Sequence, residues 1–365
     1  MRGFSSYLPL WVTLLATLCQ CYVAHPPLSS LSDTSSTSII KANTKTLWQA
    51  PTTPTWIENL AIRSSTRTII FSLITTPEIY QLDEEQNASL LFQFPNVTSA
   101  LGIVEIARDV FAVVVGNFST ATASGTLGTY SLWKVELFDD DDETSEDRVV
   151  ASKITDIPEA SFLNGITLLH PIKEGKDKLA TVLISDSTLG AVFKVNTNCG
   201  TYEQVFDGVS EMLPPKNASI PIGINGLAVH KGSLYWTNTE REAIFSIPID
   251  PLTGFARPNA TVRTVASKIG IAVDDFAFDG DDNLWTAGGN TVAMLPAAGD
   301  ASKTGIKPVI VVGSESSLTV AGSTSVRFAD ASLLYVTTDG GMAAPVNGSV
   351  VEAGKIVAVD LASSF

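Results

Sequence analysis

Short polar corners recur along this chain and carry the residue types that could do chemistry. Their polar members are Glu58, Asn59, Asn164, Asn225, Asp274, Asp275 and Ser325. Carboxylate and amide oxygens are hard ligands that suit Ca²⁺, Mg²⁺ or Mn²⁺. Side-chain amides and hydroxyls can also donate to an oxygen atom of a substrate. Asn and Asp equally cap turns through bonds to their own backbone, so a ligand site and simple turn capping both stay open.

Each corner is followed by an apolar-alternating run, a turn and a second β-rich run. The second runs are Thr68–Ile74, Val110–Val115, Ala180–Ser185, Ser233–Asn238, Asn283–Ala287 and Leu333–Thr338. A third strand and an outer strand complete each unit, and no helix-period pattern of any length appears. Six such units predict an all-β fold, a six-bladed β-propeller of four-stranded blades. In that fold the corners start the innermost strands, so we expect them to meet at one mouth of the central channel.

The expected domain organisation has three parts. Residues 1–24 read as a signal peptide, because Arg2 precedes the apolar run Tyr7–Leu18, which is too short to span a bilayer. Residues 25–45 form a flexible arm rich in Ser, Thr and Pro, and residues 46–361 form a single propeller. The early strand Thr46–Gln49 is expected to pair with the last blade and close the ring. The protein is therefore expected to be secreted, or to reside in the secretory lumen or the vacuole.

Glycosylation sequons and cysteines fit the secretory route. The N-x-[ST] sequons begin at Asn87, Asn96, Asn117, Asn217, Asn259 and Asn347. If the leader is cut after Cys19, Cys21 remains and can form a disulfide with Cys199; if it is cut after Ala24, Cys199 is a lone thiol. Both outcomes stay open.

Charge and histidine positions exclude several function classes. The net charge is −15 and the pI about 4.6, and part of the charge lies in the run Asp139–Glu143, which reads as a solvated loop. This acidic balance argues against nucleic acid as a partner, because no basic surface exists to neutralise phosphates. No segment after the leader is long and apolar enough for a membrane span. His170 and His230 fall in turns away from the corners, which argues against a Ser/His/Asp triad.

The corners resemble those of the senescence-marker-protein and gluconolactonase superfamily of six-bladed propellers. The matching positions are Glu58, Asn164, Asn225 and Asp274. The resemblance implies that these four residues hold one divalent cation, Ca²⁺ or another, and that the protein hydrolyses lactones. The chain departs from the family pattern at Asp275, where the family has Gly, and at Asn164-Gly165, which shortens an Asn-Asp-Gly corner.

A narrower resemblance concerns a fungal branch of secreted propellers associated with secondary-metabolite enzymes. It is carried by the strings Thr55–Arg63, Leu101–Glu105, Asp109–Ser119, Ile157–Thr167, Pro221–Val229 and Leu334–Gly341. Relatives in this branch include the hetero-Diels–Alderases of tropolonic sesquiterpenoid biosynthesis, which this chain resembles. The resemblance implies a cyclase that joins a tropolone quinone methide to a humulene-type olefin, with no cofactor required.

A cycloaddition needs two apolar partners held in one orientation and a hydrogen bond to the oxygen of the heterodiene. Aromatic residues near the corners that could line a substrate site are Trp56, Phe118, Tyr130, Phe162 and Phe276. The candidate catalytic residues are Asn59, Asn164, Asn225, Asp275 and Ser325. The aromatics could equally be packing between blades. A metal-dependent lactonase and a non-catalytic ligand-binding propeller remain the alternative functions, and the sequence does not fix the oligomeric state.

Overall fold

The computed structural model describes residues 42–138, 148–170, 180–218, 220–297 and 308–362. Within these ranges the regular structure is entirely β, arranged as six four-stranded antiparallel sheets and one small two-stranded hairpin. The prediction of an all-β, six-bladed propeller of four-stranded blades is confirmed. The leader, most of the N-terminal arm, Cys21 and the acidic run Asp139–Glu143 lie outside the described residues.

The strands follow the chain blade by blade, after a first strand that belongs to the last blade. That strand is β1 (Asn43–Gln49). Blade 1 contains β2 (Ile57–Ile62), β3 (Ile69–Leu73), β4 (Glu78–Leu82) and β5 (Ala88–Gln93). Blade 2 contains β6 (Ser99–Ala107), β7 (Val110–Gly116), β10 (Ser131–Phe138) and β11 (Arg148–Asp156), with the hairpin β8 (Phe118–Ser119) and β9 (Ser124–Gly125) between its middle strands. Blade 3 contains β12 (Leu163–Leu168), β13 (Thr181–Asp186), β14 (Ala191–Asn196) and β15 (Tyr202–Phe206).

The second half of the ring repeats the same order. Blade 4 contains β16 (Ile224–His230), β17 (Ser233–Asn238), β18 (Ala243–Pro248) and β19 (Arg263–Ser267). Blade 5 contains β20 (Val273–Phe278), β21 (Leu284–Gly288), β22 (Thr291–Leu295) and β23 (Val309–Gly313). Blade 6 contains β24 (Ser323–Phe328), β25 (Leu333–Thr338) and β26 (Lys355–Asp360), and β1 is its outermost strand.

The ring is closed by the strand expected to close it. β1 pairs antiparallel with β26, from Asn43 opposite Asp360 to Gln49 opposite Lys355. Strand β1 begins at Asn43, inside the range that the sequence assigned to the arm. Trp48 of this strand packs against Phe71 of blade 1, with ring centroids 5.3 Å apart. The closing strand therefore joins the last blade to the first, and it covers the edge of β26 that would otherwise be unpaired.

The buried core lies between neighbouring blades. The middle strands β7 and β13 are rich in Val, Leu and Ile and are almost wholly buried, which suits strands covered on both faces. One core cluster joins Leu101 of blade 2 to Leu163 and Ile184 of blade 3. Each blade is therefore positioned by the apolar face of its neighbour. Among the described residues, none forms a helix long and apolar enough to cross a membrane.

Every innermost strand carries a β-bulge at its polar corner. The pairing with the second strand of the blade is interrupted between Ile57 and Asn59, Ala100 and Ile103, Leu163 and Ile166, Ile224 and Leu227, Val273 and Phe276, and Ser323 and Ser325. A bulge adds an unpaired residue and redirects its side chain. The same local device thus turns the corner residues of all six blades in an equivalent way.

Glycines at the bulges of blades 2, 3 and 4 allow neighbouring innermost strands to approach closely. A Cβ atom added to Gly102 would lie 2.4 Å from the carbonyl oxygen of Asn164, and one added to Gly165 would lie 2.6 Å from that of Asn225. A Cβ atom at Gly226 would lie 2.7 Å from the Cα atom of Asp275. Backbone atoms occupy the space that a side chain would need, so only glycine fits.

Hydroxyl groups fix the corner of one blade to the blade before it. Ser185 Oγ of blade 3 donates to the carbonyl oxygen of Asn225 at 2.6 Å. Ser72 Oγ donates to the carbonyl of Leu101, and Thr237 Oγ1 to that of Asp274. Thr324 Oγ1 of blade 6 donates to the carbonyl of Ile57 at 2.7 Å, which continues the pattern across the ring closure. Buried carbonyls that a bulge frees from the ladder are in this way satisfied.

Substituting Gly165 by Ala should destabilise the protein by about 1–3 kcal/mol, because the added methyl group overlaps the backbone of blade 4 and forces the blades apart. The free energy of unfolding from chemical denaturation measures the effect. Gly280→Ala is the matched control, since a Cβ atom there meets nothing within 4 Å. Equal stabilities of the two variants would contradict the close approach of the innermost strands.

Candidate functional site

Four carboxyl groups meet at the corner end of the channel. Glu58 and Asp274 lie at the bulges of blades 1 and 5. Asp274 interacts electrostatically with Glu58, and both interact with the carboxylates of Asp275 and Asp339. Glu58 is buried, whereas Asp274 keeps partial exposure. Residues far apart in the sequence are therefore gathered at one place, as the corner positions predicted.

The carboxyl of Glu58 is held by Trp56 and shifted by its surroundings. Loss of hydration on burial raises its pKa from 4.5 to about 8; the hydrogen bond from Trp56 opposes this rise, and the charges of Asp275 and Asp339 add to it. Trp56 Nε1 donates to Glu58 Oε2 at 2.6 Å. Glu58 thus carries a proton at neutral pH while no cation balances its charge.

Asp274 is coupled to the same group of acids. Loss of hydration raises its pKa well above the usual value, and the charges of Glu58, Asp275 and Asp339 act in the same direction. Asn225 opposes the rise through a side-chain hydrogen bond. Asn225 is itself buried, and its Nδ2 also donates to Thr239 Oγ1 at 3.0 Å. Asn225 therefore links the acids of blade 5 to blade 4.

Asp275 is the centre of a closed network that spans blades 5, 6 and 1. Its Oδ2 accepts hydrogen bonds from Asn59 Nδ2 at 3.0 Å and Ser325 Oγ at 2.8 Å, and it forms an ion pair with Arg327 at 2.8 Å. Asn59 Oδ1 accepts from its neighbour Leu60 and from Arg327. The bulge positions that are glycine in blades 2, 3 and 4 are here filled by three polar side chains that satisfy one another.

Asn164 differs from the other corner amides because its side chain has no protein partner. It stands at the bulge of blade 3, beside the Asn225 bulge that Gly165 contacts, and only 4% of its surface is exposed. Its side-chain amide forms no hydrogen bond to any of the described residues. Its nitrogen and oxygen atoms do not belong to the fully buried, unsatisfied polar atoms of the structure. A buried amide without a partner costs free energy unless a ligand or water satisfies it. Asn164 is the corner residue best placed to bind a ligand.

Two functional residues were missed by the sequence analysis. Arg327 lies two residues after Ser325 on the innermost strand of blade 6, where a charged residue was not read as part of a corner. Asp339 follows the second strand of that blade, and its carboxylate accepts from the backbone N–H groups of Gly341 and Met342 at 2.6 and 3.0 Å. Burial raises its pKa from 3.8 to about 7 against those hydrogen bonds.

A repeat signal could have found Asp339. Asp186 and Asn238 end the second strands of blades 3 and 4, as Asp339 nearly does in blade 6. Asp186 Oδ2 accepts from the N–H of Ser161 at 2.7 Å, and so ties the corner loop to its own blade. A polar residue at or just after the end of the second strand in blades 3, 4 and 6 was therefore a second recurring feature, beside the corners.

The five aromatic residues expected near the mouth divide into two groups. Tyr130, Phe162 and Phe276 are buried between blades with exposed fractions of 1%, 2% and 2%. Trp56 and Phe118 remain partly exposed. Phe118 belongs to the β8–β9 hairpin of blade 2 and stacks on Phe162 at a centroid distance of 4.5 Å. Of these five residues, Trp56 and Phe118 keep exposed aromatic surface.

The corner residues suit a hard divalent cation in their chemistry. Glu58, Asn164, Asn225 and Asp274 would supply two carboxylate and two amide oxygens, the ligand types that Ca²⁺ and Mg²⁺ prefer. Within the part of the chain that the structure describes, no group of three or more His, Cys, Asp or Glu side chains is placed to hold a metal ion. Any cation at the mouth would depend on the amides as well as the acids.

The secretory features can be located only in part. The sequon residues Asn87, Asn96, Asn217, Asn259 and Asn347 are exposed, and Asn117 is half-buried. Cys199 is exposed on the turn between β14 and β15. The pairing of Cys199 with Cys21 stays a prediction, because Cys21 is outside the described residues.

The raised pKa values of Glu58 and Asp339 predict that stability falls as the pH rises. Between pH of about 5 and 8 the folded protein holds protons that the unfolded chain has released, so the free energy of unfolding decreases with pH. Thermal denaturation in EDTA from acid to mildly alkaline pH measures this. Glu58→Gln should flatten the profile, and the exposed Glu85→Gln should leave it unchanged. A Glu58→Gln profile as steep as that of the parent protein would contradict the assignment.

Comparison with known proteins adds sequence relatives over most of the chain. No family model matches it. It is 26% identical over 339 residues to a putative hetero-Diels–Alderase of Sarocladium schorii, covering 84% of this chain and 80% of that protein. It is also 26% identical over 309 residues to a putative hetero-Diels–Alderase of a Phoma species, covering 78% of this chain and 83% of that protein.

Solved structures that share the propeller fold include a gluconolactonase and a regucalcin. A gluconolactonase from Xanthomonas campestris superposes with a TM-score of 0.54 at 14% identity, covering 88% of this chain and 90% of that one. Regucalcin from Agrobacterium tumefaciens, described as a calcium-binding protein, gives 0.56 at 15% identity, covering 88% and 94%. Both resemblances stated from the sequence are confirmed: the chain has the propeller fold of the gluconolactonase-like proteins, and it is similar over most of its length to proteins named putative hetero-Diels–Alderases.

Proposed function

We propose that this protein is a cyclase that catalyses a hetero-Diels–Alder addition, in which a tropolone quinone methide reacts with a humulene-type olefin. The observation that carries the proposal is the side-chain amide of Asn164, which bonds to none of the described residues, in a chain whose relatives are named putative hetero-Diels–Alderases. Such a reaction needs a donor aimed at one oxygen and an apolar surface for the olefin. It uses no nucleophile and no redox cofactor.

The addition is balanced without any leaving group. The four-atom heterodiene C=C–C=O of the quinone methide and the C=C of the olefin form one C–C and one C–O bond in a single step. Negative charge increases on the heterodiene oxygen in the transition state. A hydrogen bond to that oxygen therefore stabilises the transition state more than the ground state. In the proposal, Asn164 Nδ2 donates this bond. Asn225 lies in the adjacent blade and holds the acids beside the reacting groups.

In the proposal, the exposed aromatic surface of Trp56 and Phe118 orients the olefin. Trp56 is fixed by its hydrogen bond to Glu58, and Phe118 by its stacking on Phe162. Rigid aromatic faces hold an apolar hydrocarbon at low entropic cost and can select one face for reaction. Tyr130, Phe162 and Phe276 are assigned to packing beneath this surface, where they keep it in place.

Asn59, Asp275 and Ser325 are assigned a positioning role in this mechanism. Their polar atoms are committed to one another and to Arg327. They fix the bulges of blades 5, 6 and 1 and thereby the positions of Glu58 and Asp274. Asn225 is already bonded to Thr239 and Asp274, so substrate contact is expected from Asn164.

A divalent-metal lactonase is the second candidate, favoured by the fold of the gluconolactonase-like structures and by the oxygen donors at four bulges. Glu58, Asn164, Asn225 and Asp274 would hold the cation, which when bound would polarise a lactone carbonyl. A binding propeller without catalysis would use the same mouth to retain a ligand unchanged. The secretory location remains part of the proposal, supported by the exposed sequon residues.

Substituting Asn164 by Leu should reduce kcat/KM for cycloaddition by about 10²–10³-fold, because the donor to the heterodiene oxygen is lost while the volume is kept. Product formation corrected for the spontaneous reaction measures the change. Asn198→Leu is the control, since Asn198 lies on an exposed turn between β14 and β15 of the same blade. Unchanged kcat/KM in a folded Asn164→Leu variant would rule out this role.

Removal of divalent cations separates the two enzymatic candidates. After treatment with EDTA, the cyclase should retain its rate and the stereochemistry of its product, and Glu58→Gln should keep most of that activity. A lactonase would lose ring opening under the same conditions and regain it with Ca²⁺ or Mn²⁺. Product analysis by chiral chromatography reads the first result, and a lactone hydrolysis assay reads the second. Loss of stereocontrol on chelation, reversed by Ca²⁺, would contradict the cyclase mechanism.

A further inference from the structure

A cavity lies in the cleft between blades 4 and 5, away from the corner mouth. Its volume is about 250 Å³. Its walls come from all four strands of blade 4 and from the first three strands of blade 5. None of the corner residues contributes to it, so whatever it binds is independent of the reaction proposed above.

One wall is a polar row across blade 4. Tyr235 on β17 is directly opposite Ser246 on β18, and Ser246 is directly opposite Arg263 on β19. Residues in register on neighbouring strands share one face of a sheet, and all three line the cavity. A phenol, a hydroxyl and a guanidinium are thus presented side by side.

The facing wall is an apolar row across blade 5. Phe278 on β20 pairs with Leu284 on β21, and Leu284 pairs with Leu295 on β22. Leu284 and Leu295 are buried and belong to the same core cluster as Phe276. The cleft is therefore amphipathic, with hydrogen-bond donors on one side and hydrocarbon on the other.

The donors on the polar wall are not used within the protein. Only 5% of Ser246 is exposed, yet its hydroxyl has no hydrogen-bond partner among the described residues. Arg263 has no acidic partner in the same part of the chain, although the corresponding row of blade 3 pairs Lys194 with Glu203 at 2.5 Å. Blade 4 has a serine and an arginine where blade 3 has an ion pair, and the cationic group is left for a ligand.

The one acid that lines the cleft is already neutralised. Asp282 bonds to His230 Nε2 at 2.9 Å and forms an ion pair with Lys231. These two partners lower its pKa, so it stays ionised and paired. The ring of His230 is stacked on Phe278 with centroids 4.0 Å apart, which keeps the pair at the rim. In a chain of net charge −15, this cleft keeps an unbalanced positive charge from Arg263.

We propose that the cleft between blades 4 and 5 binds a small organic carboxylate with an apolar body. The carboxylate would accept two parallel hydrogen bonds from the Arg263 guanidinium and a third from the Ser246 hydroxyl, a geometry that planar anions favour. The apolar body would lie on Leu284 and Leu295. The cavity is smaller than the pockets of about 300–1,000 Å³ that hold larger cofactors, which limits the ligand to a compact molecule such as an aromatic acid.

Benzoate is the probe, and benzyl alcohol is its neutral counterpart of similar size. Isothermal titration calorimetry on the full chain should show benzoate binding with a Kd near or below about 1 mM and much weaker binding of benzyl alcohol. Arg263→Gln should weaken benzoate binding at least about tenfold, because a charge-assisted pair is lost. Ser246→Ala should weaken it by a smaller factor.

Two control variants separate this site from the rest of the molecule. Arg108→Gln removes the same charge from blade 2, where the side chain is 75% exposed, and should leave the Kd for benzoate unchanged. Asn164→Leu alters the corner mouth and should also leave it unchanged. Thermal denaturation verifies that each variant is folded. The proposal is overturned if benzoate does not bind, if benzyl alcohol binds equally well, or if a folded Arg263→Gln variant binds as tightly as the parent protein.

Discussion

The close approach of six innermost strands around one axis is the constraint on which the rest of this structure depends. At each corner a bulge releases a backbone carbonyl from the ladder, and in four of the blade junctions a hydroxyl of the preceding blade binds it. Glycines at 102, 165 and 226 permit the contact. Because β1 completes blade 6, the ring cannot open to relieve the crowding. Side chains more than two hundred residues apart in sequence therefore share one small volume.

The ring of corners is polar in every blade but blade 2, whose bulge holds Leu101 and Gly102, and it is not symmetric. In blades 2, 3 and 4 the second bulge residue is glycine, and the neighbouring amide of Asn164 has no partner within the part of the chain that the structure describes. In blades 5, 6 and 1 the equivalent positions hold Asp275, Ser325 and Asn59, locked together by Arg327. One half of the mouth is consequently a rigid, internally satisfied block. The other half keeps hydrogen-bonding capacity for a ligand.

Burial of acids beside this block has an energetic consequence. Glu58 and Asp339 lose hydration without gaining a cationic partner, which is why their pKa values rise towards and above neutrality. Arg327 neutralises Asp275 and is not shared with the other acids in the described contacts. The protein thus holds protonated carboxyls near the mouth, an arrangement that costs stability and is typical of functional sites.

Much of the architecture could be predicted because the same sequence pattern recurs in each blade. The polar corners and the β-rich runs recur with the period of a blade, so the number of blades, the second strands and the closing strand at Thr46–Gln49 all followed. The partners of the corner residues could not be predicted from the sequence. Arg327 and Asp339 reach the site through contacts between blades, and a local sequence pattern does not reveal such contacts. Burial of Phe162 and Phe276 was equally hidden: a residue next to a corner can face the channel or the adjacent blade, and only the packing decides.

The measurement that tests the central claim most directly is a crystal structure of the protein, freed of divalent cations, in complex with tropolone. The account predicts tropolone at the corner mouth, with its carbonyl oxygen within hydrogen-bond distance of Asn164 Nδ2 and its ring against Trp56 or Phe118. Tropolone bound elsewhere would contradict it, as would an Asn164 side chain that bonds to the protein and leaves the ligand oxygen without a donor.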